Sequence, residues 1–113
     1  MIKIYHNPRC SKSRQGLQLL EDSNKKFEVI KYLETPLTEK ELKEILSLLK
    51  IKPIDLVRKN EAIWKENYKN KTLTDQQVIE ALINNPKLIE RPIVTNNDKA
   101  VIGRPTELIS SIL

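Results

Sequence analysis

The 113-residue sequence has a single cysteine, Cys10, and a single histidine, His6. One cysteine excludes an intramolecular disulfide, so any redox role must take its second sulfur from another molecule. It also excludes a cysteine-rich zinc centre, and with one histidine no metal-ligand set is expected. Aromatic residues are only 4% of the chain, poor material for the stacking platforms of single-strand nucleic-acid binders. No apolar run approaches the roughly 18 residues that a membrane span needs. Met1-Ile2-Lys3-Ile4-Tyr5 leads into a strand pattern rather than the apolar stretch of a secretory signal, so the cytoplasm is the expected compartment. Repeats, low-complexity tracts and internal linkers are missing too, and one domain over 1–113 is expected.

What is present begins with charge. Twenty Lys and Arg against 15 Asp and Glu leave a net +5, a balance that favours anionic partners. The basic residues are spread along the chain, and no nucleic-acid partner is expected.

Hydrophobic spacing gives the elements. Ile2 and Ile4 alternate with Lys3 and Tyr5 as a first strand, and a helical pattern runs from Ser11 to about Asp22. Phe27 to Tyr32 reads as a second strand. Thr38-Glu39-Lys40-Glu41 and Thr74-Asp75-Gln76-Gln77 are capping boxes that open helices through Leu42, Ile45, Leu46, Leu49 and through Val78, Ile79, Leu82, Ile83. Pro53 starts a short helical turn between them. Pro92-Ile93-Val94 and Lys99 to Ile102 form two strands around the turn signal Asn96-Asn97-Asp98, and a last helix carries Leu108, Ile109, Ile112 and Leu113. The order β-α-β, helices, β-β-α predicts an α/β chain of thioredoxin-like type: a small mixed sheet flanked by helices, with a helical insertion at about 38–84.

Cys10 falls between the first strand and the first helix. A thiol at a helix N-terminus meets unpaired N–H groups and the positive end of the dipole, which favour the thiolate and offer a landing place for an oxyanion. A cysteine phosphatase would carry arginine six positions on, where Gly16 stands; a dithiol oxidoreductase would carry cysteine where Ser13 stands. Cys10-Ser11-Lys12-Ser13 is therefore a monothiol form of the redox motif. A lone cysteine commonly serves as inert packing, but His6, Arg9, Lys12, Ser13 and Arg14 around it suit a reactive sulfur better than an apolar core. His6 can raise the thiolate fraction or orient the Asn7-Pro8 turn; Ser13 and Arg14 can help hold an oxyanion, or Ser13 can be an ordinary first-turn residue.

Three more arginines stand out by context: Arg58 in Leu56-Val57-Arg58-Lys59-Asn60, Arg91 before Pro92, and Arg104 before Pro105. A residue before proline is held extended, which fixes where its side chain projects. A guanidinium presents a planar, permanently charged fork to an oxyanion. Singly, each reads as a solvated surface residue.

Together these segments resemble the glutaredoxin-coupled arsenate reductases of the thioredoxin-like fold, over essentially the whole chain. The resemblance rests on Ile4-Tyr5-His6-Asn7-Pro8 with Cys10, Ser13 and Arg14, on Leu56 to Asn60, on Arg91-Pro92-Ile93-Val94 and on Arg104-Pro105. It implies that Cys10 is the nucleophile toward arsenate and that Arg58, Arg91 and Arg104 bind the oxyanion, with His6, Asn7, Ser13 and Arg14 in support. It further implies glutathione as co-substrate, attacking and reducing the arsenic, glutaredoxin as the partner that resolves the mixed disulfide, and a cis Arg91–Pro92 peptide. Proteins of the same fold also act as redox regulators bound to RNA polymerase, usually through a Cys-x-x-Cys switch that Ser13 interrupts, or as glutathione-dependent thiol oxidoreductases. The charged stretch 58–72 is a candidate for a lid over the site.

Overall fold

Strand β1 (Ile2–Tyr5) forms the middle of the sheet because it buries side chains on both faces: Ile2, Ile4 and Tyr5 are all buried. The computed structural model describes Met1–Leu113 and pairs β1 in parallel with β2 (Phe27–Ile30) and antiparallel with β3 (Ile93–Asn96). Strand β4 (Lys99–Ile102) adds antiparallel to β3, giving the order β2-β1-β3-β4. Ile4 sits opposite Val29 on one side and Val94 on the other. Helix α1 (Ser11–Asp22) connects the two parallel strands. This mixed sheet with its helices is the thioredoxin-like arrangement expected from the element order.

The chain divides into two compact units, residues 1–35 with 91–113, and residues 36–90. In the first, Ile2, Ile4, Leu20, Val94, Ile109 and Ile112 form a continuous apolar core. Gly16 of α1 is needed there. A Cβ on Gly16 would lie 2.9 Å from Pro92 Cγ and 3.1 Å from Ile109 Cδ1, so the helix approaches the Pro92 turn only because that position is bare.

Three boundaries differ from the sequence expectation. β2 stops at Ile30, because the chain turns there: the Glu34 and Thr35 N–H groups both donate to the Lys31 carbonyl, at 3.0 and 2.9 Å. β3 starts after Pro92, which has no N–H to give the ladder. The last helix is a 3-10 helix, Thr106–Ile112. Its three-residue period stacks Ile109 and Ile112 on the core and leaves Leu108 43% exposed. The hairpin turn is tight at Asn97, whose φ of 56° is a left-handed conformation that asparagine tolerates.

The second unit holds helices α2 (Glu39–Leu49), α3 (Ala62–Asn67) and α4 (Asp75–Asn84). Both capping boxes form. Glu41 N–H donates to Thr38 Oγ1 at 3.1 Å, and Gln77 N–H donates to Thr74 Oγ1 at 3.2 Å. Short 3-10 helices at Pro53–Leu56 and Pro86–Leu88 complete the unit. The weakly patterned stretch 58–72 contains α3, anchored by buried Trp64 stacked on Tyr68 at 5.3 Å between ring centroids. No helix in either unit is long and apolar enough to cross a membrane.

Candidate active site

Cys10 is the N-cap residue of α1, with extended backbone (φ −97°, ψ 123°), and its carbonyl accepts the Arg14 N–H at 3.0 Å to open the helix. The first turn carries Lys12 and Arg14 and no carboxylate, so nothing there cancels the positive end of the dipole. The neutral thiol makes no capping hydrogen bond. Once ionised, the sulfur draws on what a capping oxygen would. Burial opposes its ionisation, but the Ser13 N–H, the Arg91 side chain, the Lys12 N–H and the Arg91 charge outweigh that, lowering its pKa to about 7. Ionisation therefore sets in well below the range of an ordinary thiol.

Arg91 and Arg104 converge on this sulfur from the turn before β3 and from the segment after β4. Arg104 Nη2 lies 3.6 Å from Cys10 Sγ, and Arg104 Nε donates to the Arg91 carbonyl at 2.8 Å. Arg91 also hydrogen-bonds the sulfur. The Arg91–Pro92 peptide is cis, as the resemblance implied, and so is Arg104–Pro105.

Behind the sulfur, Ser13 is fully buried and organises the turn. Its Oγ accepts the Asn7 N–H at 2.9 Å and lies 2.6 Å from His6 Nδ1. The hydroxyl thus bridges the Asn7 N–H and the imidazole, its proton or its second lone pair meeting Nδ1 according to the imidazole tautomer. Burial and the Lys31 ammonium hold the His6 pKa below its usual range, against the Ser13 contact and with a further push from Arg14. His6 is thus a neutral brace at pH 7. Asn7 Oδ1 accepts the Arg9 N–H at 3.0 Å, and Arg14 Nη1 donates to the Pro8 carbonyl at 2.9 Å.

Seven of the eight residues singled out in the sequence therefore fall in the first unit and meet around one turn: His6, Asn7, Cys10, Ser13, Arg14, Arg91 and Arg104. Arg58 belongs to the second unit. There its N–H donates to the Leu88 carbonyl at 2.7 Å, and its Nε lies 3.7 Å from Glu61 Oε1. Its Nη1 is buried with no hydrogen-bond partner. The Lys12 and Ser13 N–H groups are the helix-start donors to the sulfur that the sequence led one to expect, whereas sequence reasoning missed the Arg91 carbonyl as the seat of Arg104. That seat depends on a main-chain oxygen, which no residue type announces. No group of His, Cys, Asp and Glu is placed to hold a metal ion.

Among known proteins, the sequence pattern of the ArsC family matches residues 5–112. The uncharacterised protein YfgD of Escherichia coli (strain K12) is 46% identical, over 99% of this chain and 96% of its own length. An arsenate reductase of Neisseria meningitidis (serogroup A, strain Z2491) is 44% identical, over 99% of this chain and 97% of its own. The solved structure of an arsenate reductase from Vibrio cholerae superposes with a TM-score of 0.93 at 44% identity, covering 99% of this chain and 97% of that one.

Proposed function

The chain belongs to the ArsC family, and from that premise we propose that it reduces arsenate to arsenite, with Cys10 as nucleophile and glutathione and glutaredoxin as external thiols. The observation that carries this reading is a thiol of pKa about 7 with two guanidiniums on its sulfur. A thiolate and an arsenate anion repel each other unless cations neutralise both. Arg91 and Arg104 supply two charges at the sulfur, and the family resemblance assigns Arg58 as a third oxyanion ligand.

In the cycle, the Cys10 thiolate attacks arsenic(V). A sulfur–arsenic bond forms, an arsenic–oxygen bond breaks, and the protonated oxygen leaves as water. The sulfur of a glutathione thiol forms a disulfide with the Cys10 sulfur of the adduct, its proton passing to an oxygen on arsenic as the sulfur–arsenic bond breaks. The electron pair of the broken sulfur–arsenic bond stays on arsenic, which departs as arsenite. Glutaredoxin then removes the glutathione and restores the thiol. Such a cycle belongs in the glutathione-rich cytoplasm.

Ser13 weighs against the dithiol-switch regulator, since the position of a resolving sulfur is filled by a buried hydroxyl committed to His6 and Asn7. A thiol oxidoreductase acting on protein disulfides would use Cys10 but has no need of the arginines. Intact-mass measurement after incubation with arsenate and glutathione separates these readings. Arsenate-dependent appearance of one glutathione on Cys10 supports arsenate reduction. Glutathionylation that is indifferent to arsenate, or absent, contradicts it.

A further inference from the structure

At the carboxyl ends of the parallel strands β1 and β2 lies a cavity of about 410 Å3 that the arginines at Cys10 do not line. Its walls are His6, Asn7, Arg9, Lys31, Leu33 and Glu34, with Pro8 between. The volume is at the small end of the roughly 300–1,000 Å3 of ligand pockets. The position, outside the ends of adjacent parallel strands, is where open α/β sheets take ligands.

The cavity carries two cations and one anion, and none of the three forms a salt bridge within the chain. Lys31 lines the cavity together with His6, and its ammonium is close enough to act on the imidazole. Both sides are held in place. Glu34 N–H and Thr35 N–H fix the Lys31 turn, at 3.0 and 2.9 Å from its carbonyl. Opposite, Asn7 Oδ1 holds the Arg9 N–H and the Asn7 carbonyl holds the Cys10 N–H, each at 3.0 Å. The wall that ends in Arg9 leads by one residue to the reactive sulfur.

The protein owns one thiol, and arsenate reduction consumes two. Arg91 and Arg104 are committed to the oxyanion, so a thiol co-substrate whose carboxylates used the same arginines would compete with arsenate. A tripeptide thiol of the glutathione type carries two carboxylates and one ammonium at neutral pH, the complement of Lys31, Arg9 and Glu34. We propose that this cavity is the glutathione subsite: Lys31 and Arg9 take the two carboxylates, Glu34 takes the ammonium, and the sulfur reaches Cys10 along the Asn7–Cys10 turn. Its purpose rests on the arsenate reductase reading; its occupancy does not.

The test titrates the full-length protein with S-methylglutathione, which binds but cannot react, and follows backbone amide shifts. Saturable shifts centred on residues 6–9 and 31–34, unaffected by saturating arsenate, are expected. Lys31→Glu should weaken binding about five- to tenfold, as loss and reversal of one charged contact does, and Glu34→Lys should act in the same direction. In turnover, Lys31→Glu should raise the KM for glutathione by a similar factor. The KM for arsenate and the rate with 2-mercaptoethanol should stay unchanged. Absence of saturable binding, shifts centred on Arg91 and Arg104 with displacement by arsenate, or unaltered affinity in both variants overturns the subsite. If wild-type protein binds S-methylglutathione here yet never turns over arsenate, the subsite stands and the proposed reaction falls.

Discussion

Arg104 reaches Cys10 Sγ with Nη2 at 3.6 Å while its Nε is held by the Arg91 carbonyl at 2.8 Å. One guanidinium thus ties together two segments that come from opposite ends of the chain. The aim of one arginine is set by the backbone of the other. Lysine can keep the charge but gathers its donors on one nitrogen, in place of the planar fork that meets the carbonyl with Nε and the sulfur with Nη2. Arg104→Lys should therefore lower kcat/KM for arsenate about tenfold, and Arg104→Ala further, with circular dichroism unchanged. Equal activity of Arg104→Lys and wild type would show that charge alone matters.

Arg91→Ala and Arg58→Ala should each remove a charge-assisted contact to the oxyanion of about 1.5–3 kcal/mol, a tenfold to hundredfold loss in kcat/KM. The two can be told apart by the thiol. Arg91 lowers the Cys10 pKa and Arg58 is not among its causes, so alkylation kinetics should change for Arg91→Ala and not for Arg58→Ala.

Iodoacetamide alkylation of wild-type protein should rise with pH around a midpoint of about 7. The Arg91→Ala midpoint should lie higher. Stability follows with a defined sign. The folded pKa lies below the unfolded thiol value of about 8.5, so ionisation of Cys10 contributes stability that is fully present above that value. It is lost as pH falls through about 7. Denaturant midpoints of wild type measured relative to Cys10→Ser should rise between these two limits, and a flat difference would refute a shifted thiol.

Ser13→Ala removes an acceptor from the buried Asn7 N–H and a partner from His6 Nδ1. Stranding those groups should cost about 1–3 kcal/mol, read as a lower urea midpoint with an unchanged slope. His6 is held neutral, its folded pKa below the unfolded one, so its protonation destabilises the fold as pH falls below about 6.5. His6→Gln should blunt that acid-side loss.

Gly16→Ala and Gly103→Ala would each drive a Cβ to 2.9 Å from a core neighbour, Pro92 Cγ for the first and Ile109 Cδ1 for the second. Overpacking of this kind typically costs about 1–3 kcal/mol. In an ordinary helix interior alanine would instead stabilise relative to glycine, so the sign of the Gly16→Ala effect tests the close approach of α1 to the Pro92 turn.

Much of this was legible in the residues. The capping boxes at Thr38 and Thr74 fixed two helix starts because their geometry is local and reciprocal. Cys10 as a helix N-cap followed from a strand pattern ending and a helical one beginning. The 3-10 form of Thr106–Ile112 was not legible, because Leu108, Ile109 and Ile112 fit helices of either period and the core selects between them. Helix α3 was missed because its apolar content is little more than Ile63 and Trp64. Ser13 shows the sharpest limit. Its place beside a reactive cysteine suggested an oxyanion ligand or a plain first-turn residue, whereas its side chain turns inward to brace His6 and Asn7 and only its N–H serves the sulfur.

The most direct measurement is arsenite itself, quantified by speciation after wild-type or Cys10→Ser protein is incubated with arsenate, glutathione, glutaredoxin, glutathione reductase and NADPH. Wild type should form arsenite in step with NADPH oxidation, and Cys10→Ser should form none above the protein-free rate. Arsenite production by Cys10→Ser, or none by wild type with several glutaredoxins, would contradict a nucleophilic Cys10 at an oxyanion site.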